Sequence, residues 1–363
     1  MTPRRIYLDG NSLGPPAAGM ADALVAAVEH WDRSLIGGWN EGWWDLPVTV
    51  GERIAPLLGA APGQVVVGDS TTVMWFKAVG AALRLRPDRT TIVTHRGGFP
   101  TDRHVIDALG ARVVAAGPGR LAEALGPDTA VLAVTHVDHR YGRRLDMAAL
   151  TAAAHAVGAL VVWDLSHSVG AMDLHLDEAQ VDLAVGCTYK YLNGGPGSPA
   201  YCYVAERHLD SLTQPIQGWM GAQDPFLMGP DYAPTSGIRR FLSGTPAVVG
   251  MLAVADMVEL VAEVGMAAVR EKSVGLTEHA IALADEHLTG LGVTVASPRD
   301  AHRRGGHVTL HHPAMREVVE TLWERDVIPD YRDPGGLRVG LSPLSTSYDE
   351  VDRGIVAVRE LLA

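Results

Sequence analysis

One lysine stands in an unusual setting, within the segment Gly186-Cys187-Thr188-Tyr189-Lys190-Tyr191-Leu192. The chain has only three lysines among its 363 residues, so most of its cations are arginines. Lys190 follows a short apolar run and precedes a loop rich in glycine and proline. The amine of a partly buried lysine can form a Schiff base, although a lysine at a sheet edge can also simply extend its amine to water.

Two loops upstream carry groups that would complement such a lysine. The segment Gly68–Thr72 leads from an apolar run into a helical pattern, where backbone N–H groups and hydroxyls favour a phosphate or act as an ordinary helix cap. Asp164 ends another apolar run, and His167 follows three residues later. A carboxylate there could hold a protonated ring nitrogen or pair within the core. A phosphate site, an acid and a Schiff-base lysine, in this order, are what pyridoxal phosphate (PLP) requires, and Phe99 could stack on its ring.

These loops need a scaffold that brings the ends of several strands together. Short apolar runs alternate with helical patterns through the first two-thirds of the chain, which predicts a mostly parallel sheet covered by helices on both faces. The predicted strands are Val65–Val67, Thr91–Thr94, Val113–Ala116, Ala130–Val134, Ala159–Trp163, Leu183–Gly186 and Ala200–Val204. The predicted helices between them are Thr72–Leu85, Asp102–Leu109 and Met147–Val157. Ligands bind beyond the carboxyl ends of such strands, so the four loops that contain Gly68–Thr72, Phe99, Asp164 and Lys190 converge on one edge.

The pattern changes after residue 246 and divides the chain into three predicted regions. An N-terminal arm, 1–45, contains a helix over Pro16–Ser34 and packs on the small domain and the active site. A large cofactor-binding domain covers 46–250, and a small α+β domain covers 251–363. The small domain contains helices at Met266–Leu288, Met315–Glu324 and Tyr348–Leu361.

Composition limits the kinds of partner and the cellular compartment that we expect. A formal net charge of -12 argues against a nucleic-acid partner, which needs a basic face. No apolar run has the length of a membrane span, and the first residues lack the apolar core of a signal peptide. Two cysteines, Cys187 and Cys202, do not form a disulfide framework, so we expect a reducing cytoplasm.

Histidine pairs in the chain do not indicate a metal site. His136 and His139 have an H-x-x-H spacing, and His311 and His312 are adjacent. Zinc needs three or four convergent ligands, and no cluster of cysteines or acids supports these pairs. We therefore expect no metal.

Seven segments, in order along nearly the whole chain, resemble kynureninase. They are YLDGNSLG (7–14), GGFPTD (97–102), WDLSHSVGA (163–171), VGCTYKYLNGGPGSPA (185–200), QGWMG (217–221), FLSGTP (241–246) and LRVGLSPL (337–344). Kynureninases are fold-type-I PLP enzymes related to the class V aminotransferases, so the resemblance implies that fold, with a seven-stranded type of sheet and a smaller C-terminal domain. Cysteine desulfurases are less similar, because they carry a His-Lys pair and a catalytic cysteine late in the chain.

The resemblance implies a role for each matching residue. Lys190 would form the Schiff base, Asp164 would pair with the pyridine nitrogen, and Tyr189 would contact the phosphate and move a proton near the γ-carbon. Arg338 would bind the substrate carboxylate with its planar fork; the alternative is a surface ion pair. The other residues matched to the cofactor site are Thr71, Thr72, Phe99, Asp102, Thr135, His167, Trp219 and Thr245, the last two reaching it from a neighbouring subunit. Those matched to the substrate pocket are Trp39, which could instead be a packing residue, and Gly244.

The implied activity is hydrolysis of the Cβ–Cγ bond of L-kynurenine, or of a ring-substituted kynurenine, to anthranilate and L-alanine. It would belong to the kynurenine pathway of tryptophan catabolism and NAD biosynthesis, in a homodimer. The segment Asp138–Tyr141 departs from the family pattern near the cofactor edge. Two alternatives stay open: another class V activity such as a β-lyase or aminotransferase, and an inactive binding protein of this fold.

Overall fold

The computed structural model of the protein describes residues 5–227 and 229–363. Its largest element is a seven-stranded sheet in the order β2-β8-β7-β6-β5-β3-β4, in which β8 alone runs antiparallel to its neighbours. The strands, numbered in chain order, are β1 Ile6–Tyr7, β2 Val65–Val67, β3 Thr91–His95, β4 Arg112–Ala116, β5 Thr129–Thr135, β6 Leu160–Asp164, β7 Leu183–Gly186, β8 Tyr201–Val204, β9 Thr294–Val295, β10 His307–His311, β11 Val327–Ile328, β12 Asp330–Arg332 and β13 Gly336–Gly340.

Helices cover both faces of this sheet. The helices of the described residues, in both domains, are α1 Met20–Ser34, α2 Leu46–Leu58, α3 Thr71–Arg84, α4 Pro100–Ala108, α5 Met147–Ala156, α6 Val248–Val264, α7 Met266–His287, α8 Met315–Glu324 and α9 Tyr348–Leu362. In β6, Val161 and Trp163 enter one core while Val162 enters the core on the opposite face. Burial on both faces explains why the strands read as continuous apolar runs. None of the helices in the described ranges is long and apolar enough to cross a bilayer.

A second, four-stranded antiparallel sheet forms the small domain, in the order β12-β13-β10-β9. Helices α7, α8 and α9 pack on it around a separate apolar core. The N-terminal arm contributes to this core: β1 pairs in parallel with β11, and Leu8 is buried in the cluster. The division of the chain near residues 45 and 250 stays a prediction.

The arm also reaches the lysine loop of the large domain. The Gly340 N–H donates to Leu8 O at 2.7 Å, which fixes the arm on the small sheet. Six residues after Leu8, the Gly14 N–H donates to Tyr189 O at 2.8 Å. A Cβ at Gly14 would lie 2.3 Å from Lys190 O, so only glycine allows this approach. The first segment of the chain thus joins both domains beside Lys190.

Sequence and structure agree on the elements of the large sheet to within about two residues, and three differences from the predicted bounds are informative. The helix predicted over Asp102–Leu109 begins earlier, at Pro100, because proline suits the first turn of a helix. The helix predicted over Pro16–Ser34 begins only at Met20, after Gly19 at a φ of 89°. Strand β6 runs one residue beyond the prediction, so Asp164 is its last residue.

Candidate active site

The polar loops lie at one edge of the large sheet. Strands β3 to β7 are parallel, and β2 runs in the same direction because both β2 and β7 are antiparallel to β8. The segments that follow β2, β3, β5, β6 and β7 therefore leave the sheet at the same edge. These segments contain the lysine, the acid and the capping hydroxyls that the sequence singled out.

Lys190 is the centre of a cluster of side chains. Its Nζ lies 3.2 Å from His167 Nε2, 6.0 Å from the ring centre of Phe99 and 5.9 Å from that of Tyr189. Burial, and then the charge of Lys190, hold the pKa of His167 well below its usual value, so its ring is uncharged at neutral pH. Phe99 is 41% exposed, which leaves its apolar ring available to a planar ligand.

Two carboxyl groups lie together beside this cluster. Thr135 and Asp164 are register partners at the ends of β5 and β6. The Thr135 hydroxyl donates to Asp102 Oδ2 at 3.2 Å, and the Ser166 N–H donates to Asp164 Oδ1 at 2.9 Å. Burial, and then the charge of Asp164, raise the pKa of Asp102 well above its usual value. Asp102 is thus disposed to hold a proton next to Asp164.

The predicted phosphate loop is the start of α3. Ser70 is its N-cap, and its hydroxyl accepts from the Val73 N–H at 3.4 Å. Thr71 is half-buried and Thr72 is exposed in the first turn, where backbone N–H groups favour an anion. Beneath them, the buried Lys77 pairs with Asp69. Sequence reasoning missed Lys77, which sits mid-helix without a local motif.

The residues present at this edge fit PLP. A helix N-terminus suits its phosphate, the Asp164 carboxylate suits its ring nitrogen, and the Lys190 amine suits its aldehyde. His167 Nδ1 is buried without a partner in the described structure, so this nitrogen is available for a hydrogen bond to a ligand.

Arg338 lies on β13 and is 1% exposed, so it is not in a surface ion pair. Its Nη2 donates to Ser12 Oγ at 3.0 Å and pairs with Asp330, while its Nη1 donates to His139 O. The ring of His139 packs edge-on against Phe99, with ring centres 5.4 Å apart. Arg338 therefore joins the Lys190 cluster through the loop that contains His139.

The four other predicted residues are not in contact with the Lys190 cluster within the described part of one chain. The ring centre of Trp39 lies 6.1 Å from that of Trp43, and that of Trp219 lies 5.7 Å from that of Trp44. The remaining two, Gly244 and Thr245, are exposed in the segment before α6.

Besides Lys77, sequence reasoning missed four residues that the structure brings to this site, and each owes its place to contacts distant in sequence. Ser12 and Asp330 bind Arg338, and His307 on β10 has its ring centre 5.9 Å from that of His167. Asp9 lies near Asp330; burial, and then the charge of Asp330, raise the pKa of Asp9 to about 6. The YLDGNSLG motif was visible, but nothing local indicated its partners.

Comparison with solved structures identifies the fold class. A cysteine desulfurase from Thermococcus onnurineus has a TM-score of 0.82 at 19% identity, covering 99% of this chain and 94% of that one. A variant of C-DES, solved with glycine covalently linked to its PLP cofactor, has a TM-score of 0.84 at 16% identity, covering 99% and 97%. The fold and the site define a PLP-dependent enzyme of fold type I, which confirms the predicted fold class.

Sequence comparison identifies the family. Kynureninase from Pseudomonas fluorescens is 41% identical over 370 residues, 98% of this chain and 89% of that protein. Kynureninase from Deinococcus radiodurans is 42% identical over 369 residues, 98% and 90%. The family model "Kynureninase C-terminal domain" matches residues 269–358. The chain belongs to the kynureninase family. The predictions of a hydrolytic enzyme, of PLP and of kynurenine cleavage rather than the alternatives are confirmed.

The raised pKa of Asp9 predicts how stability depends on pH. Because the folded pKa of about 6 exceeds the usual pKa of 3.8, the stability that Asp9 contributes is complete below pH 3.8 and is lost as the pH rises through about 6. The unfolding free energy of the wild type should therefore fall between about pH 5 and about pH 8. In Asp9→Asn this fall should be smaller by about 1–2 kcal/mol. Urea unfolding at both pH values measures this.

Asp326→Asn is the matched control, because Asp326 is an exposed carboxylate paired with Arg5 of the same arm. Its pH dependence should follow that of the wild type. An Asp9→Asn variant with an unchanged pH dependence would contradict the raised pKa of the half-buried Asp9 carboxyl.

Proposed function

We propose that this chain hydrolyses the Cβ–Cγ bond of L-kynurenine, or of a ring-substituted kynurenine, to anthranilate and L-alanine, with Lys190 as its central catalytic residue. The observation that carries the assignment is the position of the Lys190 amine, 3.2 Å from an uncharged His167 and beside the partly exposed ring of Phe99. An amine, a carboxylate and an aromatic face converge there at one sheet edge. The pattern within the kynureninase family supports the choice of substrate.

The residues that would hold PLP follow from this arrangement. Its phosphate would lie at the start of α3 with Thr71, Thr72 and Tyr189, and Phe99 would cover its ring. Asp164 would hold its ring nitrogen, supported by Asp102, Thr135 and His167. When bound, PLP supplies the electron sink that makes carbanion chemistry at the substrate α-carbon accessible.

Two side chains would move protons. The Lys190 amine would take the proton from the substrate α-carbon. Burial, the largest cause, raises the pKa of Tyr189 above its usual value, so its hydroxyl stays protonated and can donate. Tyr189 would therefore act as the acid near the γ-carbon.

Arg338 would bind the substrate α-carboxylate. Its Nε is buried and has no partner in the described structure, whereas both Nη atoms contact protein groups. The substrate carboxylate would therefore accept a hydrogen bond from the one Arg338 nitrogen that the protein leaves unpaired in the described structure.

We further propose a homodimer in which Trp219, Gly244 and Thr245 complete the neighbouring site, with Trp39 near the substrate ring. Gly244 and Thr245 are exposed in one chain. Phe226 and Leu227, near Trp219, are 69% and 72% exposed, and α1 presents an apolar stripe of Leu24, Val25, Val28 and Trp31. Exposed apolar area on this scale is typical of an interface. Two buried free cysteines suit a reducing cytoplasm.

The purified protein tests the function directly. We expect visible absorbance from lysine-bound PLP, its disappearance on borohydride reduction, and release of fluorescent anthranilate and an equal amount of alanine from L-kynurenine. Lys190→Ala should lack both the absorbance and the products. Absorbance without anthranilate would contradict the activity while leaving the cofactor assignment intact.

The role of Tyr189 is tested by Tyr189→Phe. Loss of a positioned acid should lower kcat by about 10²–10⁴-fold while the visible absorbance of the cofactor is retained. Tyr191→Phe is the matched control, because the buried Tyr191 hydroxyl has no partner among the described residues. A Tyr189→Phe variant that loses PLP would make Tyr189 a phosphate ligand only.

Shared sites predict complementation between two inactive variants. Lys190→Ala removes the amine, and Thr245→Arg blocks the neighbouring site from an exposed position. Co-expression should restore up to about a quarter of wild-type activity, because half of randomly paired dimers are mixed and each mixed dimer has one intact site. No recovery, with dimers present, would mean that each subunit builds its own site.

A further inference from the structure

His307 is a buried histidine of the small domain that the roles described above do not use. It begins β10, is 0% exposed, and lies against the loop of the large domain that contains Gly142. A Cβ at Gly142 would lie 3.3 Å from the His307 ring atoms Cε1 and Nε2, so this loop fixes the ring closely. The ring is therefore held between the domains.

The neighbours of His307 are the residues of the candidate site. Its ring centre is 5.9 Å from that of His167, whose Nε2 is 3.2 Å from Lys190 Nζ. In the register of β10 and β13, His307 pairs with Gly340 and Thr309 pairs with Arg338. Because side chains two residues apart share a face of a strand, His307 and Arg338 lie on the same face of the small sheet.

The hydrogen-bonding capacity of His307 is unused within the described residues. Neither Nδ1 nor Nε2 has a partner, although both are buried. Burial, and then the charge of Arg338, hold the pKa of His307 well below its usual value, so its imidazole is neutral, with one donor and one acceptor. Buried polar atoms are normally paired, so two unpaired nitrogens on a ring whose centre lies 5.9 Å from that of His167 indicate a ligand contact.

Arg338 defines which ligand group is in reach. Its Nη atoms already contact Asp330, Ser12 and His139 O, which leaves Nε as the one nitrogen without a partner in the described structure. A carboxylate has two oxygens, and Nε can donate to only one of them. A neutral imidazole on the same sheet face can donate to the other without adding a second positive charge.

We propose that His307 is a substrate-binding residue that donates a hydrogen bond to the α-carboxylate of the amino-acid substrate beside Arg338. This inference rests on the proposed function, because it takes that site as the place where an α-amino acid binds. Asp330 offsets the charge of Arg338, and Arg338 Nε can donate to only one oxygen of the substrate carboxylate. The neutral His307 ring would donate the hydrogen bond to the other oxygen.

The two reaction products separate this role from a structural one. In His307→Leu holoenzyme, the dissociation constant of L-alanine, measured from the change in cofactor absorbance, should rise by about 10–100-fold, the loss of one hydrogen bond to a charged group. Inhibition by anthranilate, which lacks the amino-acid part, should change less than about threefold. His307→Gln keeps a donor and should recover most of the affinity for L-alanine.

His311→Leu, at the half-buried far end of the same strand, is the matched control and should bind both products normally. Cofactor content and thermal unfolding are measured for every variant. Unchanged L-alanine affinity, equal weakening of both products, or loss of PLP by both the Leu and the Gln variants would overturn the proposal. L-alanine binding needs no turnover, so a wild type that binds L-alanine but releases no anthranilate refutes the proposed function alone.

Discussion

The architecture depends on the buried positive charge of Arg338. A guanidinium out of water is costly unless nearly all its donors are used. Here the donors are used by three different parts of the chain: Ser12 of the arm, His139 of the large domain, and Asp330 of the small sheet. Satisfying one side chain therefore fixes the relative position of the three parts. After burial, the same charge also helps to keep His167 and His307 neutral, so Arg338 contributes both to the electrostatics of the site and to its assembly.

Much of the fold was predictable because local pattern and burial agree. Strands covered on both faces appear as short apolar runs, and parallel strands require their polar ends to meet. This reasoning, together with the family resemblance, brought Lys190, Asp164 and His167 to one edge, where the structure has them. The small domain was also visible as a change of pattern after residue 246, although the boundary itself stays a prediction.

The rest of the site depends on contacts that no local pattern contains. In the sequence, His307 is an ordinary residue of a half-apolar strand. Its proposed role depends on the packing of β10 against the loop that contains Gly142, about 165 residues earlier in the chain. Asp330 and Ser12 likewise gain their roles only through Arg338. The proposed roles of Trp219 and Thr245 also depend on distant contacts, because their proposed partners belong to another copy of the chain. A residue's role is therefore harder to predict from the sequence when its contacts lie farther away along the chain or in another subunit.

The scarcity of lysine has a practical consequence. Lys77 is enclosed in its pair with Asp69, and Lys190 would be bound to the cofactor. Lys272, half-buried on α7 of the small domain, is then the one side-chain amine accessible to an acylating reagent. Besides the terminal amine, amine coupling of the loaded enzyme to a surface or a dye would therefore use a single known position, remote in sequence from both Lys190 and the residues assigned to the subunit contact.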